Sequence, residues 1–580
     1  MSRSPRRARP EPAASPSFTP HPGRLSRLAG AIAASRARRH LLFLAATVVT
    51  VLFVGYHFGT FDQTIHIPFL KKYVDPGLFP GDPFLELRFQ HYSYFWFLFQ
   101  PFYRAGLLEI TLFVGHCAAT YGTFWALYGL SRVLFQSDLA ALLTVAGFVF
   151  PHVGFAGFPV IEFSLLNRTA VLPFLLLAMY LYLQRRIVPA YLLVGVMYNF
   201  HVISAQFVVA MFLFDGVLHL RRVGPGRLAL GVMVFVLAAL PVLIWKLGGS
   251  SVDLTPRPDW FDVIARGNLY NLFYLLPPYP HILLITASGL SALGLFVIAR
   301  RALPAAPGHQ TVLAFVGAAL LILVVQVITA QWLPITIIVQ SQIIRAGLFV
   351  LIFGYLYFAA YLADLYTRAA WPPLEWGALA LAYVGVVLPM APLFVWLVVR
   401  LVRAPLWRRV TLGVTLAASF AAMFGVAFFY DIWEPGVHLA GPRTDWEAAQ
   451  VWARANTPRD ALFITPPQIW WLYQSDWRVF SERSTVATLS ELLEAAFAPE
   501  YLDYWRPRFE ALAPGALDQF RGDYFENKRL TAAAFYGLTT TDFERLAAQY
   551  GAEYLVVEKP HAYDLPVAYQ NAGYAIYALP

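Results

Sequence analysis

Residues 59–84, GTFDQTIHIPFLKKYVDPGLFPGDPF, follow directly on the first long apolar run of the chain, yet they carry Asp62, His66, Asp75 and Asp82. An ionised carboxylate at a membrane boundary is costly unless it has a partner. Asp62 lies there, between Phe61 and apolar neighbours. It has the chemistry of a general base, because a hydroxyl is a weak nucleophile until a positioned carboxylate takes its proton. The plainer role is a cap on a helix starting at Gln63, worth about 1 kcal/mol. His66, one helical turn on, could orient an acceptor or the carboxylate. Asp82, in the turn PGDP, is a candidate ligand for a divalent cation such as Mg or Mn.

Four residues further along have complementary chemistry. In IEFSLLNRTAVLPF (161–174), Glu162 and Arg168 flank the outer mouth of a span. A guanidinium there suits a phosphate or pyrophosphate; otherwise it snorkels and pairs with Glu162. His201, in MYNFHVISAQ, falls at a break between two short helices and is either a packing histidine or a contact for a donor phosphate. Arg345, in VQSQIIRAGLF, begins a span beside Gln340 and Gln342. Such arginines face a polar cavity or anchor the interface.

The elements that position these residues follow from composition. The chain has 580 residues, 58% hydrophobic and 13% charged, with mean hydropathy +0.56. An ordinary soluble chain carries roughly 25% charged residues. This is therefore a mainly α, polytopic membrane protein. Cys117 is the only cysteine, which excludes a disulfide framework and a Cys-based metal site. Charge divides the chain into three. Residues 1–40 hold nine Arg against Glu11 and read as a disordered basic cytoplasmic tail that orients the first span and does not bind nucleic acid. Residues 41–430, the transmembrane domain, hold 22 basic against 13 acidic residues; residues 431–580 hold 12 against 20.

Apolar runs of membrane length, ~20 residues, fall near 41–58, 106–130, 138–156, 167–184, 187–203, 204–220, 228–247, 281–299, 311–330, 344–366 and 410–430. Residues 374–403 are expected to form a hairpin of two short helices broken at Leu388-Pro389-Met390-Ala391-Pro392. A single helix would strand Arg400, Arg403, Arg408 and Arg409 on the outer face, against the positive-inside rule. Thirteen segments result, or eleven where one pair of short helices is re-entrant; both counts place residues 431–580 outside the cytoplasmic (inner) membrane and leave a first outer loop over 59–105. On this topology eight of the 13 acids lie in outer loops: Asp62, Asp75, Asp82, Glu86, Glu162, Asp253, Asp259 and Asp262. Within the first loop, Ile65 to Lys72 suggest a short amphipathic helix lying on the bilayer. The aromatic run HYSYFWFLFQPFYRAG (91–106) suggests an interfacial anchor whose rings could also stack on sugars or polyprenyl chains.

Residues 431–580 alternate helix and strand signals: a helix over 444–456, strands at ALFITPP and WRVFSERSTV, a helical stretch over about 488–549, and strands at 552–559 and 573–580. This predicts a small α/β domain, structural or acceptor-binding. It has no nucleophile elbow, phosphate loop or zinc spacing, and Ser481, His561 and Asp564 form no triad that spacing supports.

An apolar first span, an acid just after it in an F-D-x pattern, a long first outer loop, paired short helices and a C-terminal outer domain together resemble the glycosyltransferase C-fold. Within that superfamily the chain is most similar to bacterial members whose C-terminal part opens with W-x-x-x-N-T-P-x-D-A-L-F-x-T-P-P, here WARANTPRDALFITPP (452–467). The resemblance implies a polytopic enzyme that takes a sugar from a polyprenyl-phosphate-linked donor and passes it to an envelope glycan, lipid or protein. It also implies that Asp62 faces the acceptor hydroxyl. Several members carry Asp-Glu after the first span, whereas here Asp62 is followed by Gln63. A transporter or flippase is the competing class, because interrupted paired helices mark transport sites; a non-catalytic envelope assembly protein is a third. Ion-coupled transport calls for carboxylates at mid-membrane, and the 13 acids lie at span ends or in loops, which favours the enzyme.

Overall fold

In hydrocarbon every backbone N–H and C=O must be paired within its own segment, so apolar runs become helices. The computed structural model describes residues 23–249, 255–267, 280–469 and 472–580; the first 22 residues of the basic tail, and Asp253, lie outside them. In chain order the helices before the C-terminal domain are α1 (Arg24–Ala33), α2 (Arg36–Val54), α3 (Gln63–Val74), α4 (Leu108–Phe135), α5 (Asp138–Gly147), α6 (Asn167–Leu183), α7 (Ile187–Tyr198), α8 (Val202–Leu218), α9 (Pro225–Gly249), α10 (Pro258–Gly267), α11 (Pro280–Ala302), α12 (Pro307–Gln331), α13 (Gly347–Thr367), α14 (Pro373–Gly385), α15 (Met390–Leu401) and α16 (Pro405–Phe429), with a few shorter turns between them. Among the described residues α2, α9, α11, α12, α13 and α16 are long and apolar enough to cross a bilayer; α5 to α8 and α15 are apolar but shorter. The break expected near residue 388 is present between α14 and α15.

Burial separates core from periphery. Helix α13 is enclosed nearly all round and packs on α11 and α5, so it forms the centre of the bundle. Helix α16 leaves Val410, Val414, Phe428 and Phe429 exposed, the pattern of a helix that faces lipid. Asp215, in the last turn of α8, is fully buried and held by Arg222 Nη2 at 2.9 Å and the Tyr182 hydroxyl at 3.0 Å.

Before the C-terminal domain three segments depart from the sequence expectation. Residues Arg24–Ala33, inside the tail expected to be disordered, form α1. It packs on α2 and α5 and buries Ala29, because its apolar residues share one face. The run 138–156 is helical only as α5. Pro151, Gly154 and Gly157 follow, and the chain turns back through a bridge between Val153 and Pro159. The helix expected to lie half exposed on the bilayer is α3, but every residue from Gln63 to Lys72 is buried. Lys71 Nζ donates to Val479 O and Glu482 Oε1, both at 2.8 Å, and Lys72 Nζ to the carbonyls of Pro76 and Leu78. The C-terminal domain thus covers α3, and these partners allow two ammonium groups to be buried.

That domain is joined to the bundle by a two-residue parallel ladder between β1 (Tyr56–His57) and β2 (Val437–His438), with Tyr56 opposite Val437. It then runs through α17 (Asp445–Asn456), β3 (Leu462–Ile464), α18 (Trp477–Ser481), β4 (Ser484–Thr485), α19 (Tyr501–Leu512), α20 (Tyr524–Tyr536), α21 (Thr540–Tyr550), β5 (Tyr554–Glu558), β6 (Val567–Gln570) and β7 (Tyr574–Ala578). The sheet order is β4-β3-β5-β7-β6, parallel across β4, β3 and β5 and antiparallel thereafter. One face packs on α19 to α21 through Leu555 and Val557; the other packs on α17 through Phe463, Val556 and Ile576. The expected strand at 477–486 divides into α18 and β4, because Asp476 caps a helical turn by accepting from the backbone N–H of Arg478.

Candidate active site

Between β1 and α3 the chain turns at Gly59 (φ +78) and Phe61 (φ +52). A bulky residue in the left-handed region is strained, and strain of this kind gathers at functional sites. The turn delivers Asp62 to the start of α3. Asp62 makes no capping bond to that helix, which overturns the cap role; its Oδ2 instead accepts from Arg168 Nη1. The next residue, Gln63, is fully buried. Its Oε1 accepts from Gly59 N and its Nε2 donates to Leu165 O, both at 2.9 Å. An ionised glutamate there could not donate to the carbonyl, whereas the amide both accepts and donates without a charge.

Arg168 leads α6 and is shared. Its Nε donates to Glu162 Oε1 at 2.7 Å and its Nη2 to Glu162 Oε2, while Nη1 serves Asp62. Both carboxylates are therefore spent on one guanidinium. Arg345 lies near: the Phe158 ring sits 5.3 Å from Arg168 Cζ and 5.5 Å from Arg345 Cζ. Arg345 has no carboxylate partner among the described residues. His201 caps α8, and its Nδ1 accepts from Ser204 N at 3.2 Å, which leaves the ring proton on Nε2.

These groups open on one cavity of about 640 Å³, in the size range of small-molecule sites. Asp62, His66, Arg168, His201 and Arg345 all line it; Glu162 stands behind Arg168 and lines a small adjoining cavity. His66 stacks on Trp96 (centroids 5.0 Å apart) and meets the His91 ring edge-on at 4.8 Å. No hydrogen bond joins His66 to Asp62 among the described residues. Burial holds the His66 imidazole well below its ordinary pKa and so neutral.

Asp82 does not line the cavity. Its Oδ1 accepts from Phe84 N and its Oδ2 from the buried Arg478 Nε at 2.8 Å, so where it stands it is neutralised by arginine and not offered to a cation. Among the described residues one group, His57, Glu434 and His438, brings metal-type ligand atoms within 4.8 Å of one another. The guanidinium of Arg443 donates to His57 Nδ1 and to Glu434 Oε1, each at 2.7 Å, and takes the place a cation would need.

The family described as a domain of unknown function (DUF6798) matches residues 444–512, which contain the 452–467 motif. No curated protein matches the chain. Among solved structures the chain is similar to ArnT from Cupriavidus metallidurans bound to undecaprenyl phosphate. The identity is 12% and the TM-score 0.42, over 94% of this chain and 98% of that one.

Residues 444–512 also supply a site residue that sequence reasoning missed. Glu494, 5% exposed, bonds His91 Nε2 at 2.7 Å, and both line the cavity. Burial alone would push the His91 pKa down, but the Glu494 carboxylate outweighs it and holds the pKa above its ordinary value. Lys246, Arg257, Thr336, Gln342 and Glu500 are among the further polar residues of the lining. His91 opens the aromatic run 91–106, where its signal was hidden among rings, and nothing local marks Glu494. Among the described residues the cavity thus holds a carboxylate fixed by arginine, the arginine Arg345 without a carboxylate, and an imidazole–carboxylate pair. It can bind an anion and accept a proton beside it.

Proposed function

We propose that the chain is a membrane glycosyltransferase that moves a sugar from a polyprenyl-phosphate-linked donor to a hydroxyl of an envelope acceptor. The reaction takes place at the outer face of the cytoplasmic membrane, with residues 431–580 extracytoplasmic. One observation carries the assignment: Arg345 lines the same cavity as Asp62 without a carboxylate of its own among the described residues, while the charge of Arg168 is already committed to Glu162 and Asp62. A guanidinium in a low-dielectric cavity calls for an anion, and a lipid phosphate supplies one.

In this scheme Asp62 Oδ1, which accepts no hydrogen bond among the described residues, takes the acceptor hydroxyl's proton as oxygen bonds to the anomeric carbon. The bond from that carbon to the phosphate oxygen breaks. Polyprenyl phosphate leaves with the electron pair, and its charge is met by Arg345. Arg168 keeps Asp62 oriented.

Binding of undecaprenyl phosphate to the detergent-purified chain tests this. Arg345→Gln should weaken it about 10- to 100-fold, the equivalent of a charge-assisted hydrogen bond of about 1.5–3 kcal/mol. Arg345→Lys should restore it only in part, because lysine lacks the planar fork. Equal affinity in wild type and Arg345→Gln would remove Arg345 from the site and the assignment with it.

A further inference from the structure

The connection between α12 and α13 carries two features that packing does not explain. Gln342 is a non-glycine residue in the left-handed region (φ +45), only 3% exposed, and its amide oxygen has no hydrogen-bond partner among the described residues. Thr336, 6% exposed, likewise has no partner for its hydroxyl oxygen among the described residues. Both residues line the 640 Å³ cavity. The backbone between them is fixed from two sides: Gln206 Nε2 of α8 donates to Ser341 O at 3.0 Å, and Gln340 Nε2 donates to Phe497 O at 3.1 Å.

Buried polar groups in native proteins are almost always paired. Strained backbone persists where the surroundings over-determine it, and it clusters where ligands bind. An amide oxygen accepts, and a threonine hydroxyl both donates and accepts. The terminal torsion of glutamine is broad, so the amide can turn to a ligand without leaving its rotamer. Two neutral, unpartnered groups in a cavity wall match a neutral ligand portion that carries several hydroxyls. Arg345, three residues beyond Gln342, supplies the anion contact beside them.

We infer that Thr336 and Gln342 bind hydroxyl groups of the sugar on the polyprenyl-phosphate donor and determine which sugar is accepted; this rests on the donor assignment above. Arg345 holds the lipid phosphate common to all such donors, and the 336–342 segment reads what is attached to it.

Two kinds of probe separate the outcomes on the purified full chain: undecaprenyl phosphate alone, and undecaprenyl phosphate linked to glucose, mannose or galactose. Gln342→Leu should weaken the best-bound sugar-linked probe about tenfold, the value of one hydrogen bond with its desolvated partner, and leave undecaprenyl phosphate within twofold of wild type. Gln342→Gly relieves the left-handed strain. It should unfold at the wild-type temperature or above while losing the same sugar discrimination. The inference is overturned if both variants bind the sugar-linked probes as wild type does, if both kinds of probe weaken together, or if Gln342→Gly unfolds several degrees lower. It is also overturned if wild type binds no sugar-linked probe more tightly than undecaprenyl phosphate. Failure of wild type to bind undecaprenyl phosphate at all would overturn the donor assignment and this inference together; normal phosphate binding with unaltered sugar discrimination in the variants would overturn this inference alone.

Discussion

Replacing Asp62 with asparagine separates chemistry from fold. In the variant Arg168 keeps both bonds to Glu162, through Nε at 2.7 Å and through Nη2, and an amide oxygen can still accept from Nη1. No helix cap is lost, because Asp62 makes none. What disappears is one charge in a group whose side chain is 19% exposed. Partial solvation puts that loss near the low end for a charge-assisted contact, about 1–1.5 kcal/mol. The transfer rate should fall much further, by about 10²- to 10⁴-fold for loss of a general base, or ~3–5 kcal/mol at 1.36 kcal/mol per tenfold. Arg168→Leu does the reverse. It strands Glu162, 4% exposed, and Asp62 without a cation, and breaking such a buried pair costs about 3–5 kcal/mol. The assay pairs thermal unfolding in detergent with release of undecaprenyl phosphate from its sugar-linked form, using membrane extract as acceptor source. Asp62→Asn should unfold near wild type and transfer little; Arg168→Leu should fail to fold stably. Transfer within a few-fold of wild type by a folded Asp62→Asn protein would refute the base assignment. Destabilisation equal to that of Arg168→Leu would refute the view that Glu162 suffices to hold Arg168.

The His91–Glu494 pair makes stability depend on pH. Because the folded His91 pKa is raised above its ordinary value, the pair's contribution is fully present below about pH 6.5 and is lost as pH rises through the raised folded value. Glu494→Gln should therefore lower the unfolding temperature more at pH 6 than at pH 9, and an equal loss at both would show that the pair is not ionic. The placement of residues 431–580 outside the membrane predicts that alkaline phosphatase fused after Pro580 is active; an inactive fusion together with a fluorescent cytoplasmic reporter at the same point would reverse the topology.

Much of the architecture was legible because it is local. Run length and apolar content dictate helices, Pro389 and Pro392 interrupt the 374–403 segment, and the change in charge and hydropathy after residue 430 marks an α/β domain. The types of residue that could serve chemistry were legible too: Asp62, His66, Arg168, His201 and Arg345 stand out as polar groups beside apolar runs, and all five line one cavity. Sequence could not decide what each of them touches. Asp62 read either as a general base or as a helix cap, and the cap falls only because packing sets Arg168 against it, 106 residues away. Asp82 looked like a cation ligand until Arg478 reached it across 396 residues. The amphipathic pattern of α3 implies one exposed face, and it misleads because a domain some 400 residues later covers that face and gives Lys71 its partners. Glu494 had no local signal, since its meaning is His91, 403 residues earlier in the chain. Hydrophobic period and helix propensity are properties of neighbouring residues, so the sequence by itself determines most of the elements, though not the helical turn Trp477–Ser481 read as strand. Pairing of buried charge depends on which elements meet, so only the tertiary structure decides which carboxylate is a cap, which is a clamp and which faces the cavity.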